Sequence, residues 1–203
     1  MAVPTEGSAG GGDRARLFVA LDLDDDVRRI LAGWRDPVLA ADARIRPVAI
    51  DALHVTLCFL GICLVRDVGA IAAAACAIVP AAPLDGLRLG AATWLPRRRP
   101  RVLAVKLEDE TGALTSAQAA LAEVLAAGGW YRPEARRYLA HVTVARVGRD
   151  ARLPLLPAAP SAAIAQPATI TLYRSHLSPG GSRYEALRVL SPSAGPAGAS
   201  ELP

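Results

Sequence analysis

One tetrapeptide written twice constrains this chain more than anything else in it. His54-Val55-Thr56-Leu57 lies in the first third, and His141-Val142-Thr143-Val144 returns in the second half. The chain has only three histidines, and two of them stand in this one pattern. Alternate side chains of a β-strand share a face. Each copy therefore presents its His and Thr together on one side and sends its apolar residues to the other. A fold that accommodates both copies must supply two equivalent strands.

The flanking sequence repeats as well. Arg16–Leu21 reads as a strand, Asp22–Asp26 as an acidic turn that can cap a helix, and Asp25–Arg35 as that helix, with Val27, Ile30, Leu31 and Trp34 at helical spacing and Pro37 as its stop. A short extended piece, Ala43–Val48, leads to the first His-x-Thr strand, Leu53–Leu60, closed by Gly61. In the second half Val102–Leu107 is a strand and Glu108–Glu110 an acidic turn. Thr111 or Thr115 can cap a helix that runs to about Ala127, and a basic loop precedes the strand Tyr138–Val147. Leu21 precedes His54 by almost the same interval as Leu107 precedes His141. Outside the repeat, a helix is expected over Arg66–Val79 and strands over Leu84–Trp94, Ala168–Leu177 and Arg183–Leu190, the last two joined by a Ser178–Gly181 turn.

The expected architecture is α+β. One bilobal domain spans 14–190, with two mainly antiparallel sheets lining a central cleft and helices outside. Residues 1–13 and 191–203 are small, polar and glycine- or proline-rich, and read as disordered tails. Strict alternation sends Leu53, Val55, Leu57 and Phe59 toward the helices and His54, Thr56 and Cys58 toward the cleft. In the second copy it buries Val142 and Val144 and turns His141 and Thr143 to the cleft.

Bulk properties bound the setting. A length of 203 residues, 52% hydrophobic and 21% charged, suits one globular domain. The mean hydropathy of +0.28 comes largely from alanine, and the most apolar run, Gly69–Leu84, is broken by Pro80, so no membrane span is expected. The start lacks the basic and apolar parts of a secretory signal. Three cysteines, Cys58, Cys63 and Cys76, have no metal-ligand spacing and fit a reduced, cytoplasmic protein. The formal charge is +4 with 23 basic residues, of which Lys106 is the only lysine. Arginine forks match phosphate oxygens, so the balance is compatible with a nucleotide or nucleic-acid partner. The Arg97–Arg101 run and the Trp130–Arg132 segment are the local candidates for backbone tracking and base stacking.

Histidine exchanges protons near neutral pH. Two of them across a substrate can serve as base and acid in one displacement, each role typically worth about 10²–10⁴-fold. The two threonine hydroxyls can donate to non-bridging oxygens of an anion between the strands, and a phosphodiester meets these requirements. Two histidines with no third ligand on the same faces make a poor zinc shell, so neither a metal nor a cofactor is expected. A nucleophile elbow, a P-loop and a dinucleotide glycine fingerprint are all absent from the sequence.

Arg16–Leu23, the Arg46-Pro47-Val48 and Leu53–Gly61 stretch, His141–Val147 and Tyr184–Leu187 together resemble the two-histidine (2H) phosphoesterase superfamily, and most closely the bacterial RNA 2′,3′-cyclic phosphodiesterases also called 2′-5′ RNA ligases. The resemblance implies a metal-independent enzyme that opens a terminal 2′,3′-cyclic phosphate on RNA to a 2′-phosphomonoester. It implies that His54 is the proton donor and His141 the proton acceptor, and it adds Arg146 as a phosphate contact beside the Thr56 and Thr143 hydroxyls. Its partner would be an RNA end or a related nucleotide, bound by a monomer. Action on 2′-5′ linkages or small cyclic nucleotides, and an RNA-end-binding module with little catalysis, are the alternatives. Arg146 divides the two lines of reasoning: strict alternation turns it away from the cleft, and the resemblance places it at the phosphate. Either the strand is irregular there or Arg146 does not hold that role. Cys58 and Ala140 stand where the family more often has a larger polar residue and a proline.

Overall fold

A computed structural model describes residues 12–79, 84–164, 168–178 and 181–190. The two tails therefore lie almost wholly outside the described residues, as do Pro80 and the tip of the Ser178–Gly181 turn. The elements in chain order are β1 (Arg14–Asp22), α1 (Asp25–Leu39), β2 (Ile45–Pro47), β3 (His54–Leu64), α2 (Val68–Cys76), β4 (Leu87–Leu95), β5 (Val102–Asp109), α3 (Ala113–Ala127), β6 (His141–Val147), β7 (Ile170–Ser178) and β8 (Gly181–Leu190). Single 3₁₀ turns at Ile50–Ala52 and Val65–Asp67 precede β3 and α2.

Two of the helices, α1 and α3, start where acidic side chains meet free N–H groups. Asp24 Oδ1 accepts from Val27 N at 2.8 Å, and Asp25 and Asp26 occupy the first turn of α1. In α3 the capping group is neither threonine alone. Asp109 reaches across the turn to accept from the Leu114 and Thr115 amides, and Thr111 Oγ1 accepts from Ala113 N. Pro37 does not stop α1. It forfeits one hydrogen bond near the C-terminal end, while burial of Val38 and the Ala40 N–H to Asp36 carbonyl bond carry the last turn through to Leu39.

All pairings among the described strands are antiparallel, in the order β4-β5-β6-β3-β1-β7-β8, with β2 added to β6. The two expected sheets are thus the halves of one curled sheet, β8-β7-β1-β3 and β6-β5-β4. They meet at one register pair, Val55↔Val142, between β3 and β6. Below that pair β2 occupies the edge of β6, so β3 and β6 part and a cleft opens between the halves.

Leu17, Val19, Leu21, Leu53, Val55, Leu103, Val105, Val142 and Val144 are fully buried beneath the helices. The helices cross over. α1, from the first repeat, packs on β6 and β2, and α3, from the second, packs on β3 and β5. No helix among the described residues is long and apolar enough to cross a membrane.

Candidate active site

The Val55↔Val142 pair acts as a local twofold axis for the two motifs. His54 and His141 each stand one residue before it, and Thr56 and Thr143 one residue after. Continuing this antiparallel register by one residue sets His54 across from Thr143 and Thr56 across from His141. All four line one cavity of about 260 Å³.

Both motif strands then carry the same irregularity. β1 pairs Ala20 with Thr56 and Val19 with Cys58, passing over Leu57. β5 pairs Ala104 with Thr143 and Leu103 with Ala145, passing over Val144. Leu57 and Val144, each three residues after its histidine, are the extra residues of matching β-bulges. A bulge reverses the facing of everything beyond it. Cys58, expected in the cleft, is buried at 1% exposure, and Phe59, expected in the core, is exposed and lines the cavity. Arg146 swings to the side of His141 and Thr143 and lines the cavity with them. This bulge is the irregularity that turns Arg146 to the cleft side, where strict alternation would have turned it away. Gly61, expected to close the strand, instead adopts φ 73 beside a second bulge at Leu60, and β3 continues to Leu64.

Helical side chains from the opposite repeat fasten the two bulges. Arg35 of α1 donates from Nη1 to the Val144 carbonyl at 2.8 Å and to the Val48 carbonyl at 2.5 Å. Gln118 of α3 donates from Nε2 to the Leu57 carbonyl at 3.3 Å. Both side chains are buried. Tyr138 adds a third tie, donating its hydroxyl to the Thr56 carbonyl at 3.2 Å.

Each imidazole is oriented in the same way. Nδ1 of His54 lies 2.8 Å from the Ala52 carbonyl, and Nδ1 of His141 lies 2.8 Å from the Leu139 carbonyl. A carbonyl only accepts, so Nδ1 carries a proton in both cases and Nε2 is the exchanging atom. Thr56 Oγ1 stands 3.0 Å from His54 Nε2. The His54 ring packs against Phe18 (centroids 4.9 Å apart) and edge-on to Tyr184 (5.2 Å).

Burial in this aromatic setting lowers the His54 pKa below its ordinary value. The Ala52 carbonyl and Asp22 oppose that shift, while Arg28 and His141 add to it. Asp22 stands directly across β1–β3 from His54, and its carboxylate accepts from the Thr171 and Tyr173 hydroxyls, both at 2.7 Å. Lys106 occupies the corresponding place across β5–β6 from His141.

The same cavity is lined by Arg16, Phe18, Phe59 and Tyr184, and Arg16 lies over the Phe59 ring at 4.6 Å. A second cavity of about 490 Å³ adjoins it through His54, Arg146, Ser182 and Tyr184. The local basic and aromatic runs singled out in the sequence lie elsewhere. Arg97, Arg98 and Arg99 are exposed at the β4–β5 turn, Trp130 and Tyr131 pack partly buried against the core, and these residues line neither cavity. The arginines that do line the cavities come singly from separate elements, so no local run of sequence displays them.

No protein-family model and no curated protein matches the sequence. Solved structures do. The chain is similar to Escherichia coli LigT, a 2′-5′ RNA ligase, in complex with NADP+ (27% identity over 89% of this chain and 99% of that one, TM-score 0.69) and with 3′-AMP (27%, 89% and 99%, TM-score 0.70). It is also similar to the TT0787 protein of Thermus thermophilus (28%, 88% and 99%, TM-score 0.68). The chain is similar over most of its length to the LigT-like two-histidine phosphoesterases. Its curled antiparallel sheet with few helices is that of the LigT-like two-histidine phosphoesterase fold.

Proposed function

We propose that this phosphoesterase hydrolyses a terminal 2′,3′-cyclic phosphate on RNA to a 2′-phosphomonoester, without a metal ion. The observation that carries the reading is that both histidines, each with Nδ1 tied to a backbone carbonyl, and both threonines line one small cavity. His141 Nε2 takes a proton from water as the water oxygen bonds to phosphorus. The bond from phosphorus to the 3′ oxygen breaks, and His54 Nε2–H gives its proton to that oxygen. Thr56, Thr143 and Arg146 donate to the non-bridging oxygens, where charge accumulates. Proton exchange with solvent then restores both rings. Burial lowers the His54 pKa, and Asp22 opposes that fall, favouring the protonated ring that donation requires.

The test is an RNA ending in a 2′,3′-cyclic phosphate, incubated with chelator, with the product end identified by its phosphatase and NMR behaviour. A 2′-phosphate is expected. His54→Ala and His141→Ala should each reduce turnover by about 10²–10⁴-fold. A 3′-phosphate product would reverse the leaving group, and loss of turnover on chelation would overturn the metal-free mechanism. Exclusive turnover of a 2′-5′ linkage would move the same residues to that substrate.

A further inference from the structure

The larger cavity that adjoins the catalytic one reaches His54 but not His141, Thr56 or Thr143. Its charged lining is Arg28, Arg46, Arg146 and Arg183 against a single carboxylate, Asp51. Arg46 and Arg146 are direct cross-strand partners in the β2–β6 pair. Like charges placed opposite each other destabilise a sheet, and among the described residues no ion pair relieves either of them. Two guanidinium groups held in this way at a cavity wall suit an anion between or above them. Arg183 faces the same space from β8, and Tyr173 and Tyr184 supply aromatic walls.

Its position gives the anion an identity. In the reaction proposed above, the leaving oxygen stays on the ribose, so the ribose lies on the side of the proton donor. The ribose also carries, through its 5′ carbon, the rest of the RNA strand. With His54 as donor, the strand leaves the catalytic cavity on the His54 side, where the second cavity opens. The attacking water approaches from the side of His141, where that cavity does not extend. We propose that the second cavity binds the internucleotide phosphodiester and nucleoside immediately 5′ of the cyclised nucleotide, with Arg46 and Arg183 as its phosphate contacts. The enzyme is then one for RNA ends of two nucleotides or more. This inference rests on the cyclic phosphodiesterase reading and specifies its substrate.

The experiment compares adenosine 2′,3′-cyclic phosphate with the dinucleotide ApA bearing the same cyclic end, and with that dinucleotide carrying a neutral methylphosphonate between its nucleosides. Wild-type protein should turn over the charged dinucleotide with a kcat/KM about tenfold or more above the mononucleotide, the scale of one charge-assisted phosphate contact. The methylphosphonate should fall back to the mononucleotide level. Arg46→Ala and Arg183→Ala should lose the dinucleotide advantage and leave mononucleotide turnover unchanged. Equal turnover of mononucleotide and dinucleotide by wild type would overturn the subsite, as would equal losses on both in the variants.

The methylphosphonate arm decides the matter even if a variant fails to fold. If no cyclic phosphate is hydrolysed, binding of 2′-AMP and of ApA 2′-phosphate is compared instead. Tighter dinucleotide binding that depends on Arg46 and Arg183 upholds the subsite while the hydrolytic reading falls, and equal binding overturns the subsite as well.

Discussion

Replacing Arg35 with methionine tests whether the bulge at Val144 is held by α1. Arg35 is 5% exposed and its Nη1 bridges the Val48 and Val144 carbonyls, while its Nε has no hydrogen-bond partner among the described residues. Burial lowers its pKa from the ordinary value, and Asp36 opposes that shift. Methionine keeps the apolar stem and removes the cation. The Val144 carbonyl retains the Val48 amide at 3.1 Å, but the Val48 carbonyl loses this donor, at a cost of about 1–3 kcal/mol. Relief of the buried charge offsets part of the lost charged hydrogen bonds.

The net expectation for Arg35→Met is about 2 kcal/mol of destabilisation, or a fall in Tm of roughly 4–8 °C for a chain of this size. Thermal and urea denaturation measure that part. The catalytic part is a loss in kcat/KM of about fivefold to tenfold, because a loosened bulge misaims Arg146. In an Arg146→Ala background the same replacement should have much less effect on kcat/KM, a coupling of about 1 kcal/mol. Full additivity, or destabilisation with unchanged kcat/KM, would refute the claim that Arg35 positions Arg146, the proposed phosphate contact.

Other consequences concern protonation and the matching bulge. A donor whose pKa is depressed works only below that pKa, so the alkaline limb of the kcat/KM–pH profile should lie below about pH 6.5, the usual histidine value. That limb reports on the coupled pair of rings, and a limb well above this value would contradict the burial of His54. Asp22→Asn removes a charge that raises the His54 pKa, so it should move the limb further to acid. A move to alkali would exclude the assigned role. Gln118→Leu should leave the Leu57 carbonyl without this donor and cost about 1–3 kcal/mol in urea denaturation, and an unchanged midpoint would show that the β3 bulge needs no clamp. Burial raises the Cys58 thiol to about 12 and also shifts Cys63 upward, so neither should react with a thiol reagent in native protein at pH 8, and rapid labelling of Cys58 would contradict its burial.

Much of this architecture was legible because its signals are periodic and local. The acidic turns, the helical spacing of Val27 and Leu31, and the alternation inside each His-x-Thr copy all act within a few residues, and the second copy repeats the signal. What escaped was set by tertiary context. A bulge at Leu57 or Val144 has no side chain that announces it, since leucine and valine serve equally well in a regular strand. Its effect was nonetheless to exchange Cys58 for Phe59 in the cleft. The persistence of α1 past Pro37 depends on Val38 finding the core, which no local rule supplies. Nothing in the sequence joins Arg46 to Arg183, because they meet at one cavity only after β2 pairs with β6 and β8 returns beside β7.

The duplication also explains how a symmetric backbone performs an asymmetric reaction. The bulges place Phe59 and Arg146 at equivalent positions, five residues after their histidines, so one half of the cleft presents an aromatic ring and the other a guanidinium. Opposite the histidines the exchange is again one of character, a carboxylate at Asp22 and an ammonium at Lys106. In the reaction proposed above, a cyclic phosphate bound between such halves has a preferred orientation. Its charged oxygens are drawn toward Arg146, and its ribose and base toward Phe18, Phe59 and Tyr184 around His54. That orientation puts the leaving oxygen beside the ring that Asp22 favours in its protonated form. Exchanging the two characters, with Phe59→Arg and Arg146→Phe in one protein, should therefore weaken turnover far more than loss of a single phosphate contact, and turnover equal to that of Arg146→Ala alone would show that the asymmetry of the cleft walls does not orient the substrate.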